Sequence, residues 1–245
     1  TFHSTTGNNG GAIYNTNNLT ITNTTFHSTT GNNGGAIYNT NQLTIENSLF
    51  NNTQSKKLYN GGSIYNKGEC TINNSIITES KITISGYGGG IYNEGILAVN
   101  NTLINKCHST GSKFNSASGI GIYNKGIMAI TNSQIINNHA PSPEYITKEV
   151  EQPDGSIFIY ITNIYAGVIS NSETGKATII KSIIKDNTIS HGTNQNWNMY
   201  YGTIKNDGEM EISGCIFGNN TLSDWNQNSG GEGSINLYNT GKLND

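Results

Sequence analysis

Apolar and polar residues alternate with a period of two in short segments along the whole chain. In the stretch SIYNKGECTINNSII (63–77), apolar side chains fall six, eight and thirteen positions after Ile64, at Cys70, Ile72 and Ile77. A period of two is typical of β-strands, whereas an amphipathic helix repeats every 3.6 residues. The segments are separated by bends rich in Asn and Gly, which best tolerate a left-handed backbone. The pattern therefore predicts an all-β chain of short strands joined by sharp bends.

One unit of this kind repeats from one end of the chain to the other. Residues 1–24 and 25–48 are almost identical and differ at only three positions. The distance between successive units varies from 24 to 47 residues, because insertions lengthen one place while the rest of the unit stays constant. A repeat of this length indicates a solenoid. Each unit is anchored by one apolar residue, and the anchors are Ile13, Ile37, Ile64, Ile91, Ile122, Ile169, Ile204 and Leu237.

The recurrence of one residue type at one offset predicts that each unit lies directly on the previous one. Adjacent parallel strands are ~4.8 Å apart, so Tyr14 would stack on Tyr38 and Asn15 on Asn39. Inward Asn side chains at the bends would form ladders, and we expect them two and ten residues after the anchor. An antiparallel hairpin series would not keep these offsets. We therefore predict a right-handed, single-stranded parallel β-helix of about eight coils.

The repeat motifs also resemble those of a known group of proteins. The motif GGAIYN occurs at 10–15 and 34–39, GGSIYN at 61–66, and the motifs LTIENSLF (43–50) and CTINNSII (70–77) follow. These motifs resemble the repeats of polymorphic outer-membrane-protein-type surface proteins and of the adhesin-like proteins of methanogenic archaea. The resemblance implies a pectin-lyase-like right-handed parallel β-helix. It also implies secretion, an extracellular or cell-surface location and a role in adhesion.

Composition and charge narrow the possible functions. Only 33% of the residues are hydrophobic and 12% are charged, while Asn occurs 40 times and Gly 30 times. The net charge is −3 and the chain has no Arg, so we expect no nucleic-acid partner. No apolar run approaches the ~18 residues needed to cross a bilayer, so we expect no membrane insertion in this segment.

The sequence shows no catalytic constellation. The acidic residues are scattered, and no Ser-His-Asp or Cys-His arrangement can be recognised. Cys70, Cys107 and Cys215 lie far apart and are interpreted as small buried hydrophobes. His3 and His27 share an offset, but no third metal ligand repeats with them. We expect no enzymatic activity, no cofactor and no metal; a lyase or hydrolase of pectin-like polysaccharides is the alternative.

The insertions all fall between the end of one unit and the glycine before the next anchor. We therefore expect loops along one edge of the coil, which is often the binding side of a solenoid. Within 139–166 we predict a β-hairpin in which 145–150 pairs with 156–161. The four loops are 108–119, 139–166, 190–201 and 223–234. Candidate residues for contact with a glycan or a surface protein are their aromatic ones, Trp197, Tyr200, Tyr201, Trp225, Tyr145, Phe158 and Tyr160.

Two further features concern the outer surface. A tyrosine follows the anchor in six of eight units, and Ser170 and Lys205 interrupt this column. It predicts a cross-strand aromatic ladder, or alternatively a flat strip for sugar rings. Of the Asn-x-Ser/Thr sequons, Asn18 and Asn51 are the better glycosylation candidates, because Asn23 lies ten residues after its anchor and is expected to face inward.

The chain opens inside one unit and closes inside another. We therefore expect a single β-helical domain over 1–245 that is truncated in mid-repeat at both ends, as in a piece of a longer adhesin stalk. The alternative is a filament subunit that self-associates end to end through unpaired strand edges.

Overall fold

The computed structural model describes residues 1–56, 59–83, 86–110, 117–140, 147–151, 157–161, 164–190, 199–223, 232–233 and 236–244. The strands in these ranges are two to five residues long. All but one of their pairings are parallel. Among the described residues there is no helix with the length and hydrophobicity needed to cross a bilayer.

Four parallel sheets run along the molecule, numbered here from the strand that carries the anchor of each unit. Sheet 1 contains Ile13–Asn15, Ile37–Asn39, Ile64–Asn66, Ile91–Asn93, Ile122–Asn124, Ile169–Asn171, Ile204–Asn206 and Leu237–Asn239. Sheet 2 contains Leu19–Thr22, Gln42–Glu46, Glu69–Asn73, Ile96–Asn100, Ile127–Thr131, Lys176–Ile180, Glu209–Ser213 and Lys242–Asn244.

Sheets 3 and 4 complete each unit. Sheet 3 contains Phe2–His3, Thr25–His27, Leu49–Asn51, Ile76–Thr78, Leu103–Asn105, Gln134–Ile136, Ile183–Lys185 and Ile216–Gly218. Sheet 4 contains Thr30–Gly31, Gln54–Ser55, Lys81–Ile82, His108–Ser109, His139–Ala140, Thr188–Ser190 and Thr221–Ser223.

The register confirms the predicted parallel β-helix, because every unit pairs with the next one residue for residue. Ile64 lies beside Ile37 on one side and Ile91 on the other, and the tyrosines and asparagines that follow are paired in the same way. The same correspondence holds in sheet 2, where Ile72 pairs with Ile45 and Val99. The right-handed sense of the coil stays a prediction.

The interior is a narrow apolar column filled by the inward residues of the sheets. The anchor Ile64 and the sheet 2 and 3 residues Ile72 and Ile77 are fully buried. Phe26 and Phe50 are also fully buried, and their rings stack at 4.6 Å. Because one or two apolar side chains from each of sheets 1 to 3 fill the cross-section of a unit, a chain with 33% hydrophobic residues closes a continuous core.

An asparagine ladder runs inside the bend after sheet 1, as predicted. The side-chain amide of each Asn donates to the side-chain oxygen of the next at 2.6–2.8 Å. Asn93 also donates to the carbonyls of Gly95 at 3.0 Å and Ile127 at 3.1 Å. Buried amides are costly unless bonded, and here each finds partners within its own coil and in the next. The ladder members are Asn15, Asn39, Asn66, Asn93, Asn124, Asn171, Asn206 and Asn239.

The predicted second asparagine ladder is wrong, and a hydroxyl ladder takes its place. In the first five units the Asn ten residues after the anchor adopts a positive φ near 50° and its side chain is exposed; these residues are Asn23, Asn47, Asn74, Asn101 and Asn132. The following residue points inward instead. Its hydroxyl accepts from a backbone N–H in the previous coil at 3.1–3.3 Å and donates to a carbonyl two residues back at 2.7–2.9 Å. This ladder comprises Thr24, Ser48, Ser75, Thr102, Ser133 and Ser182.

A third internal column lies between sheets 3 and 4 and changes its chemistry along the molecule. Thr29 is fully buried, and no described residue hydrogen-bonds its hydroxyl. One unit later, the hydroxyl of Thr53 lies 2.7 Å from that of Ser63 and 3.0 Å from that of Ser80. Further along, Asn138 and its neighbours bond the backbone and side chains of adjacent coils. Different polar side chains can therefore occupy this column in different units.

The insertions emerge where the sequence predicts, between sheets 4 and 1. The hairpin is also present: Thr147–Glu151 pairs antiparallel with Ile157–Ile161, within two residues of the predicted bounds. Short strands then return the chain to sheet 1. They form two small parallel sheets, Gly86–Tyr87 with Ala117–Ser118, and Ile164–Ala166 with Met199–Tyr201 and Glu232–Gly233.

The asparagine ladder predicts a large effect for Asn93→Leu. The variant removes three donor bonds and the acceptor of Asn66, so we expect a loss of roughly 2–4 kcal/mol in the free energy of unfolding. Urea unfolding followed by circular dichroism measures it. The control is Asn100→Leu, since Asn100 is half-buried on the outer face of sheet 2 and should cost less than about 1 kcal/mol. Equal losses would contradict the ladder's importance.

The third column predicts that the same substitution, Thr to Val, changes the stability of the fold in opposite directions at Thr29 and Thr53. Thr29→Val removes a buried hydroxyl without a described partner and should stabilise the fold by about 1 kcal/mol. Thr53→Val breaks a buried hydroxyl cluster and should destabilise it by roughly 1–2 kcal/mol. Unfolding midpoints of the two variants test this, and a shift of the same sign in both would refute it.

Candidate functional site

The tyrosines that follow the anchors form a stacked ladder on the outer face of sheet 1. The ring centroids of Tyr38 and Tyr65 are 4.9 Å apart, and those of Tyr65 and Tyr92 are 4.8 Å apart. These three side chains are at most 8% exposed, whereas Tyr14 is 55% exposed. The ring faces are covered by their neighbours, so the ladder interpretation holds here and a flat exposed strip does not.

The ladder is interrupted at two adjacent positions, and a cleft of about 700 Å³ lies there. In register, Tyr123 pairs with Ser170, Ser170 with Lys205, and Lys205 with Tyr238. Two aromatic rings are therefore replaced by smaller or charged side chains. Tyr123, with Tyr87 packed against it at 4.5 Å between centroids, forms one wall, and Tyr238 lies at the opposite end.

The floor of the cleft is polar. The hydroxyl of Ser170 lies 2.7 Å from that of Ser118, and both residues are buried. The Lys205 side chain is only 5% exposed and forms an ion pair with Asp207. Asp207 also accepts a hydrogen bond of 2.6 Å from the hydroxyl of Thr240. The arrangement holds an ammonium and a carboxylate in fixed positions between aromatic walls.

A longer bend supplies one side of the cleft. In five other units the ladder Asn is followed two residues later by Gly, as in Asn124 and Gly126, and in the first two units by Asn. Here the bend extends from Asn171 to Gly175. The two additional residues place Glu173 and Thr174 at the cleft. The hydroxyl of Thr174 donates to the Lys125 carbonyl at 3.0 Å, which fixes the bend against the preceding coil.

Burial shifts the protonation equilibria in the cleft. It lowers the pKa of Lys205 to about 8, although the charge of Glu173 and the contact with Asp207 act in the opposite direction. Burial also raises the pKa of Tyr123 to about 12, with smaller contributions from Tyr87 and Glu173. At neutral pH the Tyr123 phenol is therefore uncharged, and Lys205 is largely protonated.

The aromatic loop residues predicted from the sequence are only partly described. Trp197, Trp225 and Tyr145 lie outside the described residues. Four others are defined in backbone position alone. Tyr200 and Tyr201 lie on the strand Met199–Tyr201, beside Tyr165 and Ala166, and the Lys205 strand begins at Ile204. Phe158 and Tyr160 lie on the hairpin opposite Val150 and Lys148. Their role in contact stays a prediction.

The remaining candidate positions differ in accessibility. Asn18 is exposed in the bend between sheets 1 and 2. Asn51 is half-buried, and its side-chain oxygen is shielded and lacks a hydrogen-bond partner in the described part of the chain. His3 and His27 stack with centroids 5.0 Å apart. Within the described ranges, no three His, Cys, Asp or Glu side chains are grouped as a metal site would require.

No family model, curated protein or solved structure matches the chain.

The sequence contains two signals for the cleft. One is the loss of tyrosine at Ser170 and Lys205; the other is the longer bend from Asn171 to Gly175. Ser170 and the longer bend belong to one unit and Lys205 to the next, and the stacking of these two units brings them into one site.

The buried ammonium predicts a pH-dependent effect of Lys205→Met. Below about pH 8, both folded and unfolded chains are protonated, so the cost of burying the charge is fully present. Between pH 8 and the ordinary pKa of 10.5, the folded chain releases its proton first, so wild-type stability rises with pH. The melting temperature of the variant relative to wild type should therefore fall between pH 8 and pH 10.

Thermal melts followed by circular dichroism at pH 7, 8, 9 and 10 measure this difference. Lys176→Met is the control, because the Lys176 side chain is 67% exposed and its substitution should give a difference independent of pH. A Lys205→Met difference that stays constant across this range would contradict the buried ammonium.

Proposed function

We propose that this chain is a non-catalytic binding module of an adhesin-like, extracellular cell-surface protein. The rigid β-helix holds the cleft between Tyr123 and Tyr238, and that cleft contacts a glycan or protein on a neighbouring surface. The observation that carries the proposal is the interruption of the tyrosine ladder at two successive units. The adhesin-like repeat motifs support the cell-surface location.

The interruption supports a functional role because it departs from the rule that organises the rest of the chain. Tyrosine stacked on tyrosine stabilises this face, whereas a buried lysine in the same column carries a desolvation cost. Local departures from an otherwise consistent pattern are expected at functional sites. The cleft also falls within the 300–1,000 Å³ that is usual for ligand pockets.

The ionic groups of the cleft support a role in binding. The carboxylate of Asp207 is bonded to Lys205 and to the Thr240 hydroxyl. Both groups are thus held in fixed positions, as the few polar groups of a binding site are.

The double variant Ser170→Tyr/Lys205→Tyr tests the proposal, since it completes the ladder and fills the cleft. Fluorescently labelled chain is incubated with a panel of intact bacterial, archaeal and animal cells, and attachment is measured by flow cytometry. Wild type should attach to at least one cell type. The variant should lose at least tenfold of that attachment while melting no lower than wild type.

The control is Thr20→Tyr/Thr44→Tyr, which adds two tyrosines at paired positions of neighbouring units on the outer face of sheet 2. It should attach as wild type does. Undiminished attachment of the filled-cleft variant, or no attachment of wild type to any cell, would overturn the proposal.

A further inference from the structure

We propose that the tyrosine ladder captures oxidising equivalents from the surroundings. A one-electron oxidant, such as a peroxyl radical, removes an electron from Tyr87, and the stacked rings pass the oxidation inward to Tyr92, which holds it as a neutral tyrosyl radical. This redox activity goes beyond the binding role proposed above and does not depend on it. Three features of the described residues carry it: an exposed entry ring, an unbroken stack of rings and a carboxylate at the phenol of Tyr92.

A continuous stack connects an exposed ring with covered ones. Tyr87 is 38% exposed, and its ring centroid lies 4.5 Å from that of Tyr123. The Tyr123 centroid lies 5.5 Å from that of Tyr92, and the two rings are nearly parallel. Electron transfer slows exponentially as the gap between donor and acceptor widens, so rings in contact exchange an electron far faster than separated rings do. An electron can therefore pass from Tyr92 through Tyr123 to an oxidised Tyr87.

Stable oxidation of a covered tyrosine requires that its phenol proton leaves. Burial raises the pKa of both Tyr65 and Tyr92, so both phenols carry their proton at neutral pH. An oxidised phenol that keeps this proton is a cation, and burial makes a cation costly. The Lys67 ammonium, 5.8 Å from the centre of the Tyr65 ring, repels such a cation further. The radical is therefore most stable where a base can accept the phenol proton.

Glu94 supplies that base, because the Tyr92 hydroxyl donates to its carboxylate at 3.1 Å. When Tyr92 loses an electron, its O–H bond breaks and the proton moves to Glu94, while the oxidant gains the electron. A neutral phenoxyl radical remains on Tyr92. The Glu94 side chain is 29% exposed, so it can release the proton to water and restore its ion pairs with Lys67 and Lys125.

The covered position of Tyr92 gives the radical a long lifetime. Surface tyrosyl radicals disappear when they couple with one another or meet a reductant in solution. Tyr92 is only 4% exposed, and the rings of Tyr65 and Tyr123 lie on either side of it at 4.8 and 5.5 Å. A radical on Tyr92 is therefore shielded from other molecules, whereas a radical on Tyr87 is open to them.

Flash photolysis of the intact chain tests the inference, with ruthenium tris-bipyridine and persulfate as the source of a one-electron oxidant. Trp197 and Trp225 are replaced by Phe in every chain, because this oxidant also attacks tryptophan. Electron paramagnetic resonance should detect a long-lived tyrosyl radical when the ladder is intact. Glu94→Gln keeps a hydrogen-bond acceptor but removes the base, so it should shorten the radical lifetime at least tenfold. Tyr92→Phe should shorten it to a similar extent.

The matched control for the entry ring is Tyr59, which is 39% exposed but is not a member of the tyrosine column. Tyr87→Phe should lower the yield of the long-lived radical at least fivefold, whereas Tyr59→Phe should leave it unchanged. Thermal melts confirm that each variant is folded at the temperature of the measurement. Equal losses in these two variants would overturn the inference. It would also be overturned by a lifetime that Glu94→Gln and Tyr92→Phe leave unchanged, or by the absence of a long-lived radical when the ladder is intact.

Discussion

The hydrogen bond between stacked asparagine amides is the interaction on which the rest of the structure depends. Except for the terminal Asn239, each amide of the sheet 1 ladder is buried and must find both a donor and an acceptor. The partners lie in the adjacent coils at 2.6–2.8 Å. A slip of one residue between coils would leave every amide without a partner in a low-dielectric interior. The ladder therefore fixes the register, and the register brings isoleucine onto isoleucine and tyrosine onto tyrosine.

Much of the fold could be predicted because residues that stack on each other occupy the same position in each repeat of the sequence. The anchors, the first Asn ladder and the location of the insertions follow from offsets that repeat. The second ladder was missed because alternation does not continue through a left-handed residue. Asn74 adopts φ of 48° and turns its side chain to solvent, so the next residue, Ser75, faces the core. Alternation with a period of two predicts which way side chains point within a strand, but not beyond a residue with a left-handed backbone.

The candidate site was less predictable because the sequence orders residues by unit, whereas the cleft joins four units. Tyr123, Ser170, Lys205 and Tyr238 come from four successive units and meet only through stacking. Exposure was also hard to predict. Alternation correctly turns Tyr65 away from the core, yet neighbouring rings at under 5 Å cover it and leave it 7% exposed. Outward direction and accessibility are different quantities when every neighbour carries the same large ring.

The same separation of inside and outside explains how such a chain can carry a binding site without losing its fold. Beneath the cleft, Asn171 and Asn206 remain bonded at 2.7 Å, and the anchors Ile169 and Ile204 are fully buried. The inward positions thus keep the register while the outward ones vary. Where the two tyrosine rings are missing, Ser170 and Lys205 are themselves only 3% and 4% exposed, so these positions are covered and the accessible part of the cleft lies beside them. In a molecule built by stacking like on like, a local substitution on the outer face is therefore compatible with an unchanged interior, and the ion pair of Lys205 with Asp207 satisfies the charge that the substitution buries.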